Sequence, residues 1–133
     1  ACGGTVDGSK IATLGLTFKP NTDDIRDAPS LDIISALQAA GASISAYDPV
    51  GMVAAQEYLS DVTWGSSAYD IMEGAKALVI ITEWNEFRAL DLSRIKSLMA
   101  EPLIIDLRNI YRLEDMSNEG IRYISVGRPE IKQ

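Results

Sequence analysis

Lys19 and Arg26 fall on one polar stretch between two apolar runs, and Arg108 and Arg112 follow another apolar run far along the chain. An arginine presents a planar fork of donors to phosphate oxygens, whereas a lysine presents a compact positive point. Brought to one place, these two pairs would clamp a diphosphate that carries a sugar at either end. The same cations have acidic neighbours: Asp23, Asp24 and Asp27 around the first pair, and Asp106, Glu114 and Asp115 around the second. Solvated ion pairs of that kind contribute little, so the pattern alone leaves clamp and surface pairing both open. The remaining cations read as surface charge.

Other chemistry is narrower. The chain has no His, which excludes histidine-based triads and His-ligated zinc. Asp23, Asp24 and Asp27 lie on a Pro-flanked stretch, where acids more often cap turns and helices than hold a metal; no metal site is expected. Asp27 also suits the positive end of the helix that follows. Cys2, the single cysteine, sits in a Gly-rich leader with no base beside it, so neither a nucleophile nor a disulfide framework is expected. Trp84 and Phe87 could cover a base or ribose, but packing a helix onto a sheet is the simpler reading.

The composition sets the frame for these side chains. The 133 residues are 47% hydrophobic and 23% charged with a net charge of −7, as in an ordinary globular domain. An acidic chain without a basic block is a poor binder of nucleic acid or anionic membrane. No apolar run reaches the ~18 residues that cross a bilayer, and the first residues lack the pattern of a signal peptide. The expected compartment is the cytoplasm. Residues 1–9 read as a linker left from a longer chain, and residues 10–133 as one domain.

Hydrophobic spacing gives the elements that must position the cations. Apolar runs at Lys10–Leu16, Ser43–Tyr47, Ala77–Ile81 and Leu103–Asp106 read as strands, with a weaker one at Val62–Trp64 and an amphipathic edge strand at Ile121–Ser125. Helices are expected after Ser30 as its cap, with Gly41 just past the end, around Met52–Leu59, at Ala68–Glu73 and from Leu92 to Met99. Alternating strands and helices predict an α/β, Rossmann-like, doubly wound and mainly parallel sheet, strand order 3-2-1-4-5-6, with helices on both faces. Ligands then belong beyond the carboxyl ends of the strands, near the switch between strands one and four. The loops after strands one and five would be about two strand spacings, ~9.6 Å, apart there.

The first loop departs from the dinucleotide fingerprint. In Gly15-Leu16-Thr17-Phe18-Lys19-Pro20 only the first glycine of G-x-G-x-x-G is present, so a nicotinamide site of the usual kind is not expected on it. Asp48, ending strand two, occupies the place of a ribose-binding acid, which by itself is a weak signal.

Longer motifs carry a resemblance. Gly15-Leu16-Thr17-Phe18-Lys19-Pro20-Asn21-Thr22-Asp23-Asp24-Ile25-Arg26-Asp27-Ala28-Pro29-Ser30, with Tyr47-Asp48-Pro49, Thr82-Glu83-Trp84 and Asp106-Leu107-Arg108-Asn109, resembles the C-terminal, nucleotide-sugar-binding domain of the UDP-glucose/GDP-mannose dehydrogenase family. The likeness runs from about Ile11 to Arg128 and is greatest to the UDP-glucose 6-dehydrogenases of bacterial type. It implies that Phe18 and Lys19 hold a UDP-sugar, that Arg108 contacts it from the strand-five loop, and that Arg26 reaches the NAD pyrophosphate. It implies no role for Arg112.

The family's reaction, oxidation of the sugar C6 alcohol to a carboxylate with two NAD, needs parts this sequence lacks. The glycine fingerprint for NAD and the catalytic Cys belong to an N-terminal domain, and dimer contacts to a middle region. Cys2 does not match the nucleophile's motif, so no catalytic residue is expected in these residues. The implied partners are the UDP-sugar, the two other domains of the same chain and a second subunit. A GDP-mannose or UDP-N-acetyl amino-sugar dehydrogenase, or a non-catalytic nucleotide-binding module, would share the same domain.

Overall fold

A computed structural model describes residues 7–17 and 28–131. Six strands form one sheet in the order β3-β2-β1-β4-β5-β6: β1 Lys10–Leu14, β2 Ser43–Tyr47, β3 Val62–Trp64, β4 Ala77–Ile80, β5 Leu103–Asp106 and β6 Arg122–Ser125. Every neighbouring pair is parallel, and β6 lies at an edge, where Tyr123 also bridges Ile131 in the antiparallel sense. The expected order is the one found. No helix among the described residues is long and apolar enough to cross a membrane.

Alternation along each strand sends apolar side chains to both faces, and two cores result. On one face, Ile11, Ile44, Ala46 and Val79 meet Ile34 of α1 (Pro29–Ala39) and Ala55 of α2 (Met52–Ala55). On the other, Leu14, Leu78, Ile80 and Ile104 meet Phe87 of α3 (Asn85–Arg88), Ile95 of α4 (Leu92–Leu98) and Met116 of α5 (Leu113–Glu119). Helices on opposite faces place the change of winding direction between β1 and β4. In folds wound this way, ligands bind beyond the carboxyl ends of the strands at that switch.

Local chemistry explains where the elements differ from expectation. Ser30 is not the cap of α1. The N-cap is Ala28, Pro29 opens the helix, and the buried Ser30 hydroxyl donates to the Leu16 carbonyl at 2.6 Å, pinning the helix start to the end of β1. The helix closes as predicted at Gly41, φ +96°, with Ala42 N–H returning to Leu37 O in the pattern that satisfies orphan carbonyls.

Residues 68–73 form successive turns instead of a helix. Asp70 accepts from both the Ser66 N–H and hydroxyl, and its own N–H donates to Ser67 Oγ, which diverts the backbone from helical pairing. Regular helix after Met52 is only one turn, to Ala55, with looser turns to Leu59. Helix α5 lies where apolar spacing predicts no helix. Only Met116 of it is buried, so its apolar stripe is too thin to read, although Glu114 and Asp115 in its first turn and Gly120 at its end are proper boundary signals.

Candidate nucleotide-sugar site

Strand register brings the relevant loops together. Leu14 lies opposite Ile80, and Ile80 opposite Asp106, so the chain leaves β1, β4 and β5 at one level with β4 in the middle. The β1 turn sits hard against the β4 turn. A Cβ at Gly15, φ +97°, would lie 2.5 Å from both the Thr82 backbone nitrogen and its Cβ, so only glycine fits. Thr82 then donates through Oγ1 to the Thr17 carbonyl at 2.7 Å.

Two buried carboxylates organise the edge. Asp48, fully enclosed, accepts from Leu16 N–H at 2.7 Å, Val50 N–H at 2.9 Å, Gly51 N–H at 2.7 Å and Trp84 Nε1 at 3.2 Å. It joins the turns after β1, β2 and β4, and its oxygens are engaged by the protein itself. The residue in the place of a ribose-binding acid is thus an internal anchor. The reason is position: a carboxylate at the end of a central strand meets a ring of otherwise unpaired amides.

Asp106 plays the matching part after β5. Its Oδ1 accepts the Arg108 N–H at 2.9 Å, while Oδ2 accepts Ile110 N–H at 2.8 Å, Tyr111 N–H at 3.3 Å and the Tyr123 hydroxyl at 2.6 Å. Burial and the adjacent Asp106 push the Tyr111 and Tyr123 hydroxyls well above the usual tyrosine range. Arg128 lies across this cluster, donating to Ser125 Oγ, the Tyr111 carbonyl and the Tyr123 oxygen at 2.9, 3.0 and 2.7 Å. Arg128 is therefore not plain surface charge: it ties Ser125 and Tyr123 of β6 to the more distant Tyr111 carbonyl.

The predicted site residues divide sharply. Phe18, Lys19 and Arg26 lie outside the described residues, as do Asp23, Asp24 and Asp27. Arg108 stands on the β5 turn, and its Nε donates to Glu83 Oε2 of the β4 turn at 2.5 Å. Its Nη groups make no bond to a described residue, so the guanidinium is fixed by one corner with its fork left over. Asp106 meets the Arg108 backbone, not the guanidinium. Arg112 forms the solvated pair that the pattern allowed, with Glu114 at 3.1 Å and both side chains over two-thirds exposed, at 76% and 69%. Trp84 and Phe87 are buried in the core, in the packing role. Among the described residues no cluster of acids or sulfur ligands could hold a metal ion.

The sequence pattern of the UDP-glucose/GDP-mannose dehydrogenase family, UDP binding domain, matches residues 12–113. The chain belongs to this family. A UDP-glucose 6-dehydrogenase of Rhizobium meliloti (strain 1021) is 55% identical over 130 residues, which are 98% of this chain and 30% of that protein. The UDP-glucose 6-dehydrogenase TuaD of Bacillus subtilis (strain 168) is 44% identical over 97% of this chain and 28% of its own length.

Among solved structures, a UDP-glucose dehydrogenase from Pyrobaculum islandicum superposes with a TM-score of 0.74 at 26% identity, covering 93% of this chain and 26% of that one. An NDP-N-acetyl-D-galactosaminuronic acid dehydrogenase from Methanosarcina mazei Go1 gives 0.77 at 26% identity over the same shares, 93% and 26%. The chain thus spans under a third of the length of each of these four relatives. In this UDP binding domain, Asp48 and Asp106 frame the sheet edge from which Arg108 projects.

Proposed function

We propose that this chain is the UDP-binding part of a UDP-glucose 6-dehydrogenase, which oxidises UDP-glucose to UDP-glucuronate with two NAD. The observation that carries the reading is the Arg108 guanidinium, held by Glu83 at the carboxyl edge of the sheet with its Nη groups unbonded among the described residues. A fixed, half-exposed arginine beside the switch point is suited to a diphosphate oxygen pair. Phe18 and Lys19 hold the nucleotide sugar from the β1 side. Arg26 serves the pyrophosphate of NAD, which is bound chiefly by an N-terminal domain that also brings the catalytic Cys.

The contribution of these residues is positional. They hold the UDP end so that the sugar C6 meets the nucleophile and cofactor of the other domain. Residues 10–133 form the domain, residues 1–9 connect it to the rest, and the enzyme works in the cytoplasm as a homodimer or larger assembly. Titrating the chain with UDP, GDP and NAD while following backbone amide signals tests this. UDP should move the signals of Arg108 and Glu83, with GDP and NAD weaker. A chain that prefers GDP would belong instead with GDP-mannose dehydrogenases, and one that ignores all three has no such site.

A further inference from the structure

The turn that carries Arg108 reverses at Asn109, whose φ is +56°, one of two non-glycine residues with positive φ among the described residues. Asn and Asp tolerate this conformation better than other side-chain-bearing residues, yet it still costs energy. The Asn109 side chain provides the compensation. Its Nδ2 donates to the Val126 carbonyl at 3.0 Å and its Oδ1 accepts the Val126 N–H at 3.0 Å, so one amide pairs with backbone as a neighbouring strand would. Val126 begins the turn after β6, and Arg128 from that turn reaches back to Tyr111 O and the Tyr123 oxygen. Tyr123 donates to Asp106, and Asp106 holds the Arg108 N–H. The ring of contacts closes on Arg108.

We propose that Asn109, anchored on the turn at residues 126–128, is a positioning residue for Arg108. This rests on the UDP-binding reading above but assigns work to a segment beyond residue 113, where the family pattern ends. The physical reason is conformational. A free arginine side chain has many rotamers, and a clamp gains affinity when both its backbone and one guanidinium corner are fixed beforehand. Glu83 fixes the corner. Asn109 fixes the backbone, because its two bonds to Val126 hold the turn in the one shape that leaves Arg108 opposite Glu83.

The test uses Asn109→Gly in the 133-residue chain, since glycine accepts the positive φ and keeps the fold while both bonds to Val126 are lost. Without nucleotide, the Arg108 Nε–H signal should be broader and exchange faster with solvent in the variant than in the parent, and the Val126 amide should lose protection. With UDP, affinity should fall about tenfold in the parent background but less than about twofold in Arg108→Ala, because a residue acting through Arg108 has nothing left to position. Equal losses in both backgrounds would overturn the proposal, as would an unchanged Arg108 Nε–H signal. If the parent fails to bind UDP, the function reading falls by itself. The Nε–H measurement then still decides the latch, for it needs no ligand.

Discussion

Trp84 Nε1 donates to Asp48 Oδ2 at 3.2 Å across the switch point, joining the turn after β4 to the end of β2. The two residues are far apart in sequence, and between them lies the β1 turn, whose Leu16 N–H shares the same carboxylate oxygen. A nucleotide-binding edge in this fold usually relies on glycines that let backbone approach a pyrophosphate. Here a buried carboxylate gathers the turns instead.

Asp48→Ala should therefore lower the unfolding free energy by about 3–5 kcal/mol, since several buried donors lose their acceptor at once. Trp84→Phe removes one donor and leaves the carboxylate well satisfied, so it should cost only about 1 kcal/mol. Urea denaturation of both variants at neutral pH checks the ranking. A smaller effect from Asp48→Ala than from Trp84→Phe would contradict the anchoring role.

Gly15→Ala should be far worse than the same change at Gly74. Both have positive φ, but a Cβ at Gly15 runs into Thr82 backbone and side chain, whereas at Gly74 nothing lies within 4 Å. The Gly74 change should cost about 1 kcal/mol from backbone strain alone. The Gly15 change should exceed about 3 kcal/mol and displace the Thr82–Thr17 contact. Thermal melts of the two purified variants compare them directly.

Arg108→Ala and Lys19→Ala should each weaken UDP binding about tenfold, the loss of a charge-assisted bond to phosphate. Arg112→Ala should change it less than about twofold, because its exposed pair with Glu114 is a surface contact. Calorimetric titration with UDP, repeated at higher salt, separates the three. Loss of affinity in Arg112→Ala equal to that in Arg108→Ala would mean that the ligand lies further along the β5 turn.

Alkaline stability should depend on the buried tyrosines. Burial raises the Tyr123 and Tyr111 hydroxyls, and burial with Glu86 nearby raises that of Tyr47. A group whose pKa is raised on folding keeps its full contribution below its unfolded value, near 10 for tyrosine, and loses it as pH climbs above that. Stability should thus be nearly flat through neutrality and fall above about pH 10. Tyr123→Phe should lower stability at pH 7 by about 1–2 kcal/mol, by removing a donor to Asp106, and should make the alkaline fall shallower. Melting curves taken from pH 7 to 11 test both parts.

Much of the architecture is legible from spacing. Strands such as Ala77–Ile80, apolar on both sides, announce a sheet covered twice, and β2, β3 and β5 fall where the apolar runs place them. The errors lie where polar side chains compete with the backbone, as Asp70 does after Ser66, or where one buried residue carries a helix, as Met116 does in α5. Of the predicted cations, Arg108 stands on the β5 turn that charge and loop position point to, held by Glu83. Its other supporting residues could not be found that way. Asn109 and Arg128 look like any polar surface residue until Val126 and Tyr123 are seen beside them.

The sequence by itself determined the winding of the sheet and the family motifs along it, because periodicity and chain order act locally and leave one economical topology. Tertiary structure alone decided that Asp48 is an anchor and not a ribose acid, that Arg108 pairs with Glu83 and not with Asp106, and that the turn after β6 reaches the Arg108 loop. Those outcomes depend on which unpaired amide or charge lies within about 3 Å in space, and separation along the chain does not encode that distance.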